Sequence, residues 1–311
     1  METVTVGLMP EVLPLGIGTW AWGDTLYWQY GQGYDKASVR EAFRAAVAAG
    51  ITLLDTAEVY GLGESERLIG EFCRDEPKPL AIATKFMPLP WRWGAAAVTQ
   101  ALQASLDRLQ MKSVALYQVH QPVSFLLSQR TLLHTLAAAV RAGQIGAIGV
   151  SNYSAAQMRE AHHLLAEVGV PLAFNQMPYS LLARQIERNG VLATAQELGV
   201  KILAYSPLAQ GLLTGKYKAT APPKGGRQLN PQFGADGLFR IEPLLRVLQE
   251  IGAQFERTPS QVALNWAIAK GTTPIPGAKN AAQAIENAGA LGWMLSSDEV
   301  AALDRASQHL S

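Results

Sequence analysis

Short apolar segments that read as buried strands alternate with helical segments eight times along the chain. The predicted strands are 13–18, 51–54, 80–84, 114–119, 145–150, 172–175, 200–204 and 273–275. The predicted helices are 37–49, 64–74, 95–109, 128–142, 154–168, 188–198, 242–255, 260–270, 281–290 and 297–307. Eight strand–helix units in 311 residues predict an α/β fold. We expect one domain over residues 1–311, a (β/α)8 TIM barrel with two extra helices and a long loop after strand seven.

A doubly wound parallel sheet is the alternative for such an alternation. It would need a glycine-rich phosphate turn after the first strand, and the sequence GIGTWA at 16–21 does not match that fingerprint. The pattern breaks only at 217–240, which is rich in Gly, Pro, Lys and Asn and has no clear period. Long loops inside compact chains are usually functional. We expect this one, with Arg227 and Arg240, to close over a bound cofactor or substrate.

Composition limits the partners that the chain can have. The net charge is +1 and there is no long run of one charge, so nothing points to nucleic acid or an anionic membrane. No run of eighteen apolar residues and no signal peptide is evident. The single cysteine, Cys73, excludes an intrachain disulfide and a cysteine zinc cluster, and it suits a reducing compartment. These features predict a cytoplasmic protein, a monomer or a weak homo-oligomer, acting on a small molecule.

Polar side chains follow the predicted strands at the barrel face where chemistry is expected. Asp55, Lys85 and His120 follow strands two, three and four, and Tyr60 lies in the loop after Asp55. A phenol has an ordinary pKa near 10, so it is a useful acid only when something lowers that value. A Lys held by Asp55 would do so. Taken alone, each residue suits a surface or packing role, but their conjunction at successive strand ends favours catalysis.

The chain resembles the aldo-keto reductase family, in the family's order, over residues 16–290. The motifs that carry the resemblance are GTW at 18–20, LDTAEVYG at 54–61, TK at 84–85, VH at 119–120, GVSN at 149–152, NQ at 175–176, YSPL at 205–208 and PIPGA at 274–278. The Pro-Gly-Ala turn is similar to the branch that includes bacterial and plastid reductases and the potassium-channel β subunits.

The resemblance implies reduction of aldehydes or ketones to alcohols. Tyr60 would be the general acid, Lys85 held by Asp55 would lower the Tyr60 pKa, and His120 would orient the carbonyl. A nicotinamide would supply the hydride, and no metal would be needed.

The implied cofactor is NADP, bound as NADPH for reduction. The residues implied to bind it are Gly18, Thr19, Trp20, Asp55, Ser151, Asn152, Gln176, Tyr205, Ser206, Pro207, Leu208, Gly211, Leu213, Lys216, Pro276, Gly277, Ala278, Lys279, Gln283, Glu286 and Asn287. At one position the sequence departs from the family pattern. Many members carry an Arg on the 2′-phosphate where this chain has Gln283, and Lys279 is the nearest replacement.

The predicted substrate pocket is aromatic and suits a flat or medium-length aldehyde or ketone. Its predicted residues are Trp20, Trp22, Tyr60, Phe86, Met87, Trp91 and His120.

Two other functions remain open from the sequence. One is a lyase or aldolase in which Lys85 forms a Schiff base. The other is a nicotinamide-binding regulatory subunit whose reductase activity is incidental.

Overall fold

Eight strands form one parallel sheet in the order β1 to β8, each paired with the next along the chain. The computed structural model describes residues 11–122, 127–217, 223, 226–227 and 230–310. The strands are β1 (Gly16–Gly18), β2 (Leu53–Asp55), β3 (Ala81–Phe86), β4 (Val114–Val119), β5 (Ile145–Ser151), β6 (Leu172–Pro178), β7 (Lys201–Tyr205) and β8 (Thr273–Ile275). The order and the single direction confirm the predicted (β/α)8 barrel.

The sheet closes where β1 meets the chain leaving β8. Gly18 pairs in parallel with Gly277, and the Gly18 N–H donates to the Pro276 carbonyl oxygen at 3.0 Å. A Cβ atom at position 18 would lie 2.8 Å from the Ile275 carbonyl oxygen, closer than real Cβ contacts. Only glycine therefore allows the two backbones to approach closely enough to join the ends of the sheet.

Helices surround the strands. They are α1 (Lys36–Ala48), α2 (Glu64–Cys73), α3 (Gly94–Leu109), α4 (Gln129–Arg141), α5 (Ala155–Ala166), α6 (Gln185–Arg188), α7 (Val191–Leu198), α8 (Ala235–Phe255), α9 (Pro259–Ala269), α10 (Ala281–Ala288) and α11 (Ser297–Ser307). Capping boxes fix the first turns of α1, α5, α9 and α11, because a side chain at the N-cap and one three residues later bond each other's backbone. None of the described helices is both long and apolar enough to cross a membrane.

Two hydrophobic clusters form the core. The inner one fills the barrel with side chains such as Leu53, Leu116, Phe174 and Leu203, and the outer one lies between the sheet and the helices. With both faces of the sheet covered, most strand residues are buried. The barrel is therefore a rigid support whose strand ends can hold polar groups in fixed positions.

Two predicted segments differ from the structure. The helix predicted at 188–198 is two helices, α6 and α7, since Gly190 has a φ of 82° and breaks the helical path. Helix α8 begins at Ala235 rather than at 242 and continues through Pro243. The predicted loop 217–240 therefore ends at 234, and its residues 218–222, 224–225 and 228–229 lie outside the described residues.

Candidate active site

The four residues predicted to be catalytic come together at the carboxyl-terminal edge of the barrel. Asp55 ends β2, Lys85 lies near the end of β3 and His120 directly follows β4. The His120 backbone N–H donates to the Phe86 carbonyl oxygen at 2.8 Å, which holds this loop against the end of β3. The Tyr60 ring lies 5.8 Å from the His120 ring, edge to face. A molecule entering at this edge would meet both rings.

The Lys85 ammonium is fully buried, and each of its three N–H groups has an acceptor. Its Nζ lies 2.6 Å from Asp55 Oδ2, 2.7 Å from the Thr56 carbonyl oxygen and 3.4 Å from the Tyr60 hydroxyl oxygen. A buried charge is tolerated only when it is paired and hydrogen-bonded. These three contacts keep Lys85 protonated and aim its charge at the phenol.

The second carboxylate oxygen of Asp55 accepts hydrogen bonds from two buried amides. Gln176 Nε2 donates to Asp55 Oδ1 at 2.7 Å and Gln118 Nε2 donates to it at 3.1 Å. Gln118 was not predicted as a site residue. Its side chain lies inside the barrel between β2 and β6, so it helps to hold the carboxylate that in turn holds Lys85.

Burial and charge set the protonation states of the pair. Burial raises the pKa of Tyr60 above its ordinary value, the Lys85 charge lowers it and the Asp55 charge raises it, with a net rise. Lys85 therefore lowers the Tyr60 pKa as predicted, but burial, which the sequence did not reveal, outweighs the ammonium in the net shift. Burial acts to lower the pKa of Lys85, but Asp55 and Tyr60 together raise it.

His120 is neutral at physiological pH. Burial, and then the nearby Lys85 charge, lower the pKa of its imidazole to about 3. A neutral imidazole donates one hydrogen bond and carries no charge to compete with Lys85. Its Nδ1 is buried and has no hydrogen-bond partner among the described residues.

The turn that carries Tyr60 is a short 3₁₀ helix, Tyr60–Gly63, with a sharp backbone reversal. Gly61, Leu62 and Gly63 all have positive φ values, of 55°, 54° and 88°. A Cβ atom at Gly61 would lie 2.6 Å from the Gly23 carbonyl oxygen, so the loops after β1 and β2 touch there. Gly61, which ends the motif at 54–61, and Gly63 thus allow the reversal that turns Tyr60 toward the site.

Glu58 fastens the loop after β3 to the Tyr60 segment. Its carboxylate accepts from the Met87 N–H at 2.6 Å, and from Arg92 Nη1 at 2.5 Å and Nη2 at 3.0 Å. The Arg92 guanidinium lies 5.2 Å from the centre of the Phe86 ring. A bidentate arginine–carboxylate pair with little exposure is geometrically specific. The loop is therefore fixed relative to Tyr60.

A cavity of about 520 Å³ runs from the catalytic residues toward the first turn of α10. Most predicted cofactor and substrate residues line it. They are Gly18, Thr19, Trp20, Asp55, Tyr60, Met87, His120, Ser151, Asn152, Gln176, Tyr205, Ser206, Pro207, Leu208, Gly211, Lys216, Pro276, Gly277, Lys279, Gln283, Glu286 and Asn287. Its volume and concave shape suit a small-molecule site.

An amide-rich wall lies beside Tyr60 and His120. Asn152 has a φ of 64°, and its Nδ2 donates to Ser151 Oγ at 3.0 Å and to the His120 carbonyl oxygen at 3.3 Å. The Tyr205 hydroxyl donates to Asn152 Oδ1 at 3.0 Å. The Asn152 amide and the Tyr205 ring are thus held in fixed orientations at this end of the cavity.

Three cations lie at the other end. Lys216, Arg227 and Lys279 all line the cavity. Burial, together with the charges of Arg227 and Lys216, lowers the pKa of Lys279 to about 8. Lys279 Nζ donates to the Trp28 carbonyl oxygen at 3.1 Å and lies 4.1 Å from the centre of the Tyr34 ring. This clustering of like charge favours binding of an anion.

Gln283 is tied to the turn before α10 rather than free to replace an arginine. Its Oε1 accepts from the Lys279 N–H at 2.8 Å, and its own N–H donates to Asn280 Oδ1, the N-cap of the helix. The side chain therefore stabilises the turn. Arg227, on the segment after β7, is the guanidinium that reaches this part of the cavity.

Two loops meet over the cavity. Trp20 stacks on Tyr27 with ring centres 5.0 Å apart, and the Tyr27 hydroxyl donates to Gln210 Oε1 at 2.7 Å. The Arg227 guanidinium lies 5.3 Å from the centre of the Trp28 ring. These contacts join the loop after β1 to the segment after β7.

Besides the buried Lys85, five predicted site residues do not line the cavity. Trp22 is buried, and its Nε1 donates to the Ala278 carbonyl oxygen at 2.7 Å, so both residues join β1 to the turn after β8. Phe86 and Leu213 are buried in the core. Trp91 is 71% exposed. None of the three aromatic residues Trp22, Phe86 and Trp91, predicted for the substrate pocket, therefore lines this cavity.

Several lining residues were not predicted as site residues. They are Ala21, Trp28, Val59, Gln121, Gln210, Thr214, Ser260 and Ile275, whereas Arg227 lines the cavity and belongs to the loop predicted to close over it. Trp28 and Gln210 lie in irregular loops, where no period indicates which side chain faces inward. Among the described residues, no group of three or more His, Cys, Asp or Glu side chains could hold a metal ion.

Comparison with known proteins agrees with this geometry. The aldo/keto reductase family matches residues 14–308. The chain is 39% identical over 315 aligned positions to a chloroplastic pyridoxal reductase of Arabidopsis thaliana, covering 96% of this chain and 84% of that protein. The glycerol dehydrogenase of Gluconobacter oxydans has a similar structure, with a TM-score of 0.85 and 26% identity over 99% of this chain and 95% of that one.

An aldo/keto reductase from Klebsiella pneumoniae, solved in complex with NADP and acetate, has a TM-score of 0.75 and 28% identity, covering 97% of this chain and 94% of that chain. The family match extends over almost the entire barrel and includes Asp55, Tyr60, Lys85 and His120. The chain therefore belongs to the aldo/keto reductase family.

Proposed function

We propose that this protein reduces aldehydes or ketones to alcohols, with NADPH as the hydride donor and Tyr60 as the general acid. The observation that carries the proposal is the Tyr60 hydroxyl, 3.4 Å from the buried Lys85 ammonium, at one end of a cavity whose other end is cationic. The relative from Klebsiella pneumoniae was solved with NADP, which supports the choice of cofactor.

The donor set of the cavity fits a nicotinamide dinucleotide phosphate. Such a molecule carries an amide at one end and phosphates at the other. Asn152, Gln176 and the Tyr205 ring suit the nicotinamide end, whereas Lys216, Arg227 and Lys279 suit the phosphate end. The backbone at Gly277 is uncrowded, with only the Gly18 carbonyl oxygen within 4 Å of an added Cβ. Phosphate can therefore approach the turn that opens α10.

The bound nicotinamide supplies the hydride that is added to the carbonyl carbon. Tyr60 gives its phenolic proton to the carbonyl oxygen, which becomes the alcohol hydroxyl. The Lys85 ammonium stabilises the tyrosinate that is left, and solvent returns the proton after the alcohol departs. Neutral His120 donates a hydrogen bond to the carbonyl oxygen and orients it. Asp55, held by Gln118 and Gln176, keeps Lys85 in place.

The geometry argues against Lys85 as a Schiff-base nucleophile. Attack on a carbonyl needs a neutral amine with a free lone pair. The Lys85 amine is protonated, its pKa is raised, and it donates to Asp55, Thr56 and Tyr60. Trapping with borohydride and a carbonyl compound, in the absence of nicotinamide, is expected to give no covalent adduct.

A panel of aldehydes and ketones with NADPH and with NADH, followed at 340 nm, tests the proposal. Pyridoxal belongs in the panel because a relative is named as a pyridoxal reductase. We expect the wild-type protein to turn over at least one aldehyde repeatedly. The Tyr60→Phe variant should show no such turnover. A protein that binds NADPH tightly but turns over no member of the panel would instead act as a nicotinamide-binding subunit.

A further inference from the structure

The Lys279 side chain extends from the turn before α10 and contacts the loop after β1. Its Nζ donates to the Trp28 carbonyl oxygen at 3.1 Å. The same atom lies 4.1 Å from the centre of the Tyr34 ring and 4.8 Å from the centre of the Trp28 ring. An ammonium beside aromatic faces is attracted by their electrons, most strongly where water is excluded. We call the two rings and the carbonyl oxygen the lysine cage.

Both sides of this contact are fixed by hydrogen bonds of their own. On the lysine side, the Lys279 N–H donates to Gln283 Oε1 at 2.8 Å. On the loop side, Asp24 Oδ1 accepts from the Tyr27 N–H at 2.7 Å and from the Trp28 N–H at 3.2 Å. The ammonium is therefore held between two ordered segments, although Trp28 and Lys279 are 251 positions apart in the sequence.

The Trp28 ring contacts two cations and leaves its own N–H group without a partner. Its Nε1 is buried and has no hydrogen-bond partner among the described residues, whereas a buried indole N–H usually has one. The ring centre lies 4.8 Å from Lys279 Nζ and 5.3 Å from the Arg227 guanidinium. All three residues line the cavity. The orientation of this ring therefore favours the cations rather than the hydrogen bonding of the indole.

The cage holds the Lys279 charge without neutralising it. The hydrogen-bond acceptor of Nζ is a carbonyl oxygen rather than a carboxylate. Asp24 favours the charged form, but its effect on the Lys279 pKa is smaller than the opposing effect of either Arg227 or Lys216. The ammonium therefore stays available to an anion that enters the cavity.

We propose that Trp28 and Tyr34 determine the preference for NADPH over NADH by positioning Lys279 for the 2′-phosphate. The inference rests on the NADPH-dependent function proposed above. A lysine on a free stem loses rotamer freedom when it binds an anion, and that loss weakens binding. The cage removes the freedom in advance. Because NADH has no 2′-phosphate, only NADPH gains affinity from a lysine that is already in position.

The test is a double-mutant cycle between the cage and Lys279, with the Kd of each cofactor from isothermal titration calorimetry. Titration at about pH 6.5 keeps Lys279 charged, because burial and the neighbouring cations lower its pKa only to about 8. Tyr34→Leu should raise the ratio of the NADPH Kd to the NADH Kd about three- to tenfold, the cost of ordering one free side chain. In the Lys279→Ala background the same substitution should leave the ratio unchanged.

Tyr34 is the informative position because it is not among the residues that line the cavity, so its effect must pass through Lys279. Tyr34→Phe is the conservative variant, since it keeps the ring and removes the hydroxyl, which donates to the Ala21 carbonyl oxygen at 2.7 Å. It should retain the wild-type ratio. Thermal unfolding by circular dichroism checks each variant. If Tyr34→Leu does not fold, Trp28→Leu takes its place in the cycle, with the same expected rise.

The outcomes separate this inference from the proposed function. An unchanged ratio in a folded cage variant, or an equal rise in the Lys279→Ala background, would overturn the cage proposal and leave NADPH as the cofactor. A rise as large in Tyr34→Phe as in Tyr34→Leu would also overturn it, because the hydroxyl and not the ring would then matter. A wild-type protein that binds NADPH no more tightly than NADH would overturn the choice of NADPH itself.

Discussion

The Lys85 ammonium lies 3.4 Å from the Tyr60 hydroxyl oxygen and 4.9 Å from the centre of its ring. Lys85 is held in place by hydrogen bonds to Asp55 and to the Thr56 carbonyl oxygen. Tyr60 is oriented by the backbone reversal at residues 61–63. The ammonium therefore faces the phenol oxygen whether that oxygen is protonated or ionised. This pairing makes the loss of the phenolic proton during reduction less costly than burial alone would allow.

Replacing Tyr60 with Phe removes only the hydroxyl. We expect the fold and the NADPH affinity to be kept, whereas carbonyl reduction falls by several orders of magnitude, because one hydroxyl supplies the proton. Single-turnover rates at 340 nm and the Kd from quenching of Trp fluorescence measure the two effects. Retention of more than a tenth of wild-type turnover, where hydride transfer limits the rate, would show that another group is the acid.

Replacing Lys85 with Met leaves the Asp55 carboxylate buried with two amide donors and no cation. Removing one partner of a buried ion pair costs about 3–5 kcal/mol of stability, so we expect a loss of that order in urea unfolding. In the double variant Asp55→Asn, Lys85→Met no buried charge remains, and most of the stability should return. Activity should stay absent in both variants. A double variant as unstable as the single one would contradict the role assigned to the pair.

The pH dependence of reduction should show no titration of His120. With a pKa of about 3 its imidazole is neutral throughout the assay range, whereas an ordinary histidine would titrate near pH 6.5. Tyr60, whose pKa is raised, stays protonated well past neutrality. At saturating NADPH, kcat/KM for the aldehyde should be level between about pH 5.5 and pH 8. An inflection near pH 6.5 in wild type that disappears in His120→Asn would contradict this.

We expect Lys279 to bind the 2′-phosphate that distinguishes NADPH from NADH. Losing a charge-assisted contact costs about 1.5–3 kcal/mol, roughly ten- to a hundredfold in affinity. We expect Lys279→Ala to raise the Kd for NADPH by that factor and to leave the Kd for NADH almost unchanged. Fluorescence titration with both cofactors measures it. Arg227→Ala is the informative comparison, because the Arg227 guanidinium also lines the cavity. If only Arg227→Ala weakens NADPH binding, Arg227 and not Lys279 binds the 2′-phosphate.

The same lysine should make NADPH binding depend on pH. The pKa of Lys279 is lowered to about 8 in the protein, and a phosphate bound beside it would raise it again. The charged form, which binds phosphate, is present below that pKa and is lost as pH rises. The Kd for NADPH should therefore increase between about pH 7.5 and pH 9.5, and it should be nearly constant over that range in Lys279→Ala. A wild-type Kd as constant as that of the variant would contradict the assignment.

The sequence anticipated the barrel and the catalytic cluster for one physical reason. Parallel strands bring their carboxyl ends to one edge, so Asp55, Lys85 and His120 could be placed together without coordinates. Gln118 was missed because its position within β4 looks like any other strand residue, and only the barrel interior brings its amide to Asp55.

In the loops, where the periodicity of the strands ends, the sequence did not predict which side chains face the cavity. Trp20 and Trp22 lie two residues apart after β1, yet one lines the cavity and the other is buried against Ala278. The conformation of this turn determines which of the two rings faces the cavity, and no periodic pattern in the sequence indicates that conformation. The lowering of the Tyr60 pKa by Lys85 could be predicted, but the larger rise caused by burial could not, since burial cannot be read from the spacing of residues.

The junction between β1 and the chain after β8 determines when the protein can finish folding. The Trp22 indole bonds the Ala278 carbonyl oxygen across 256 positions of sequence, and Gly18 pairs with Gly277 beside it. During synthesis, β1 leaves the ribosome early and keeps one edge without its partner until β8 emerges. Contacts between such distant residues form slowly, and an open strand edge invites aggregation. The closure of the sheet between β1 and the chain after β8 is therefore expected to be a late step of folding.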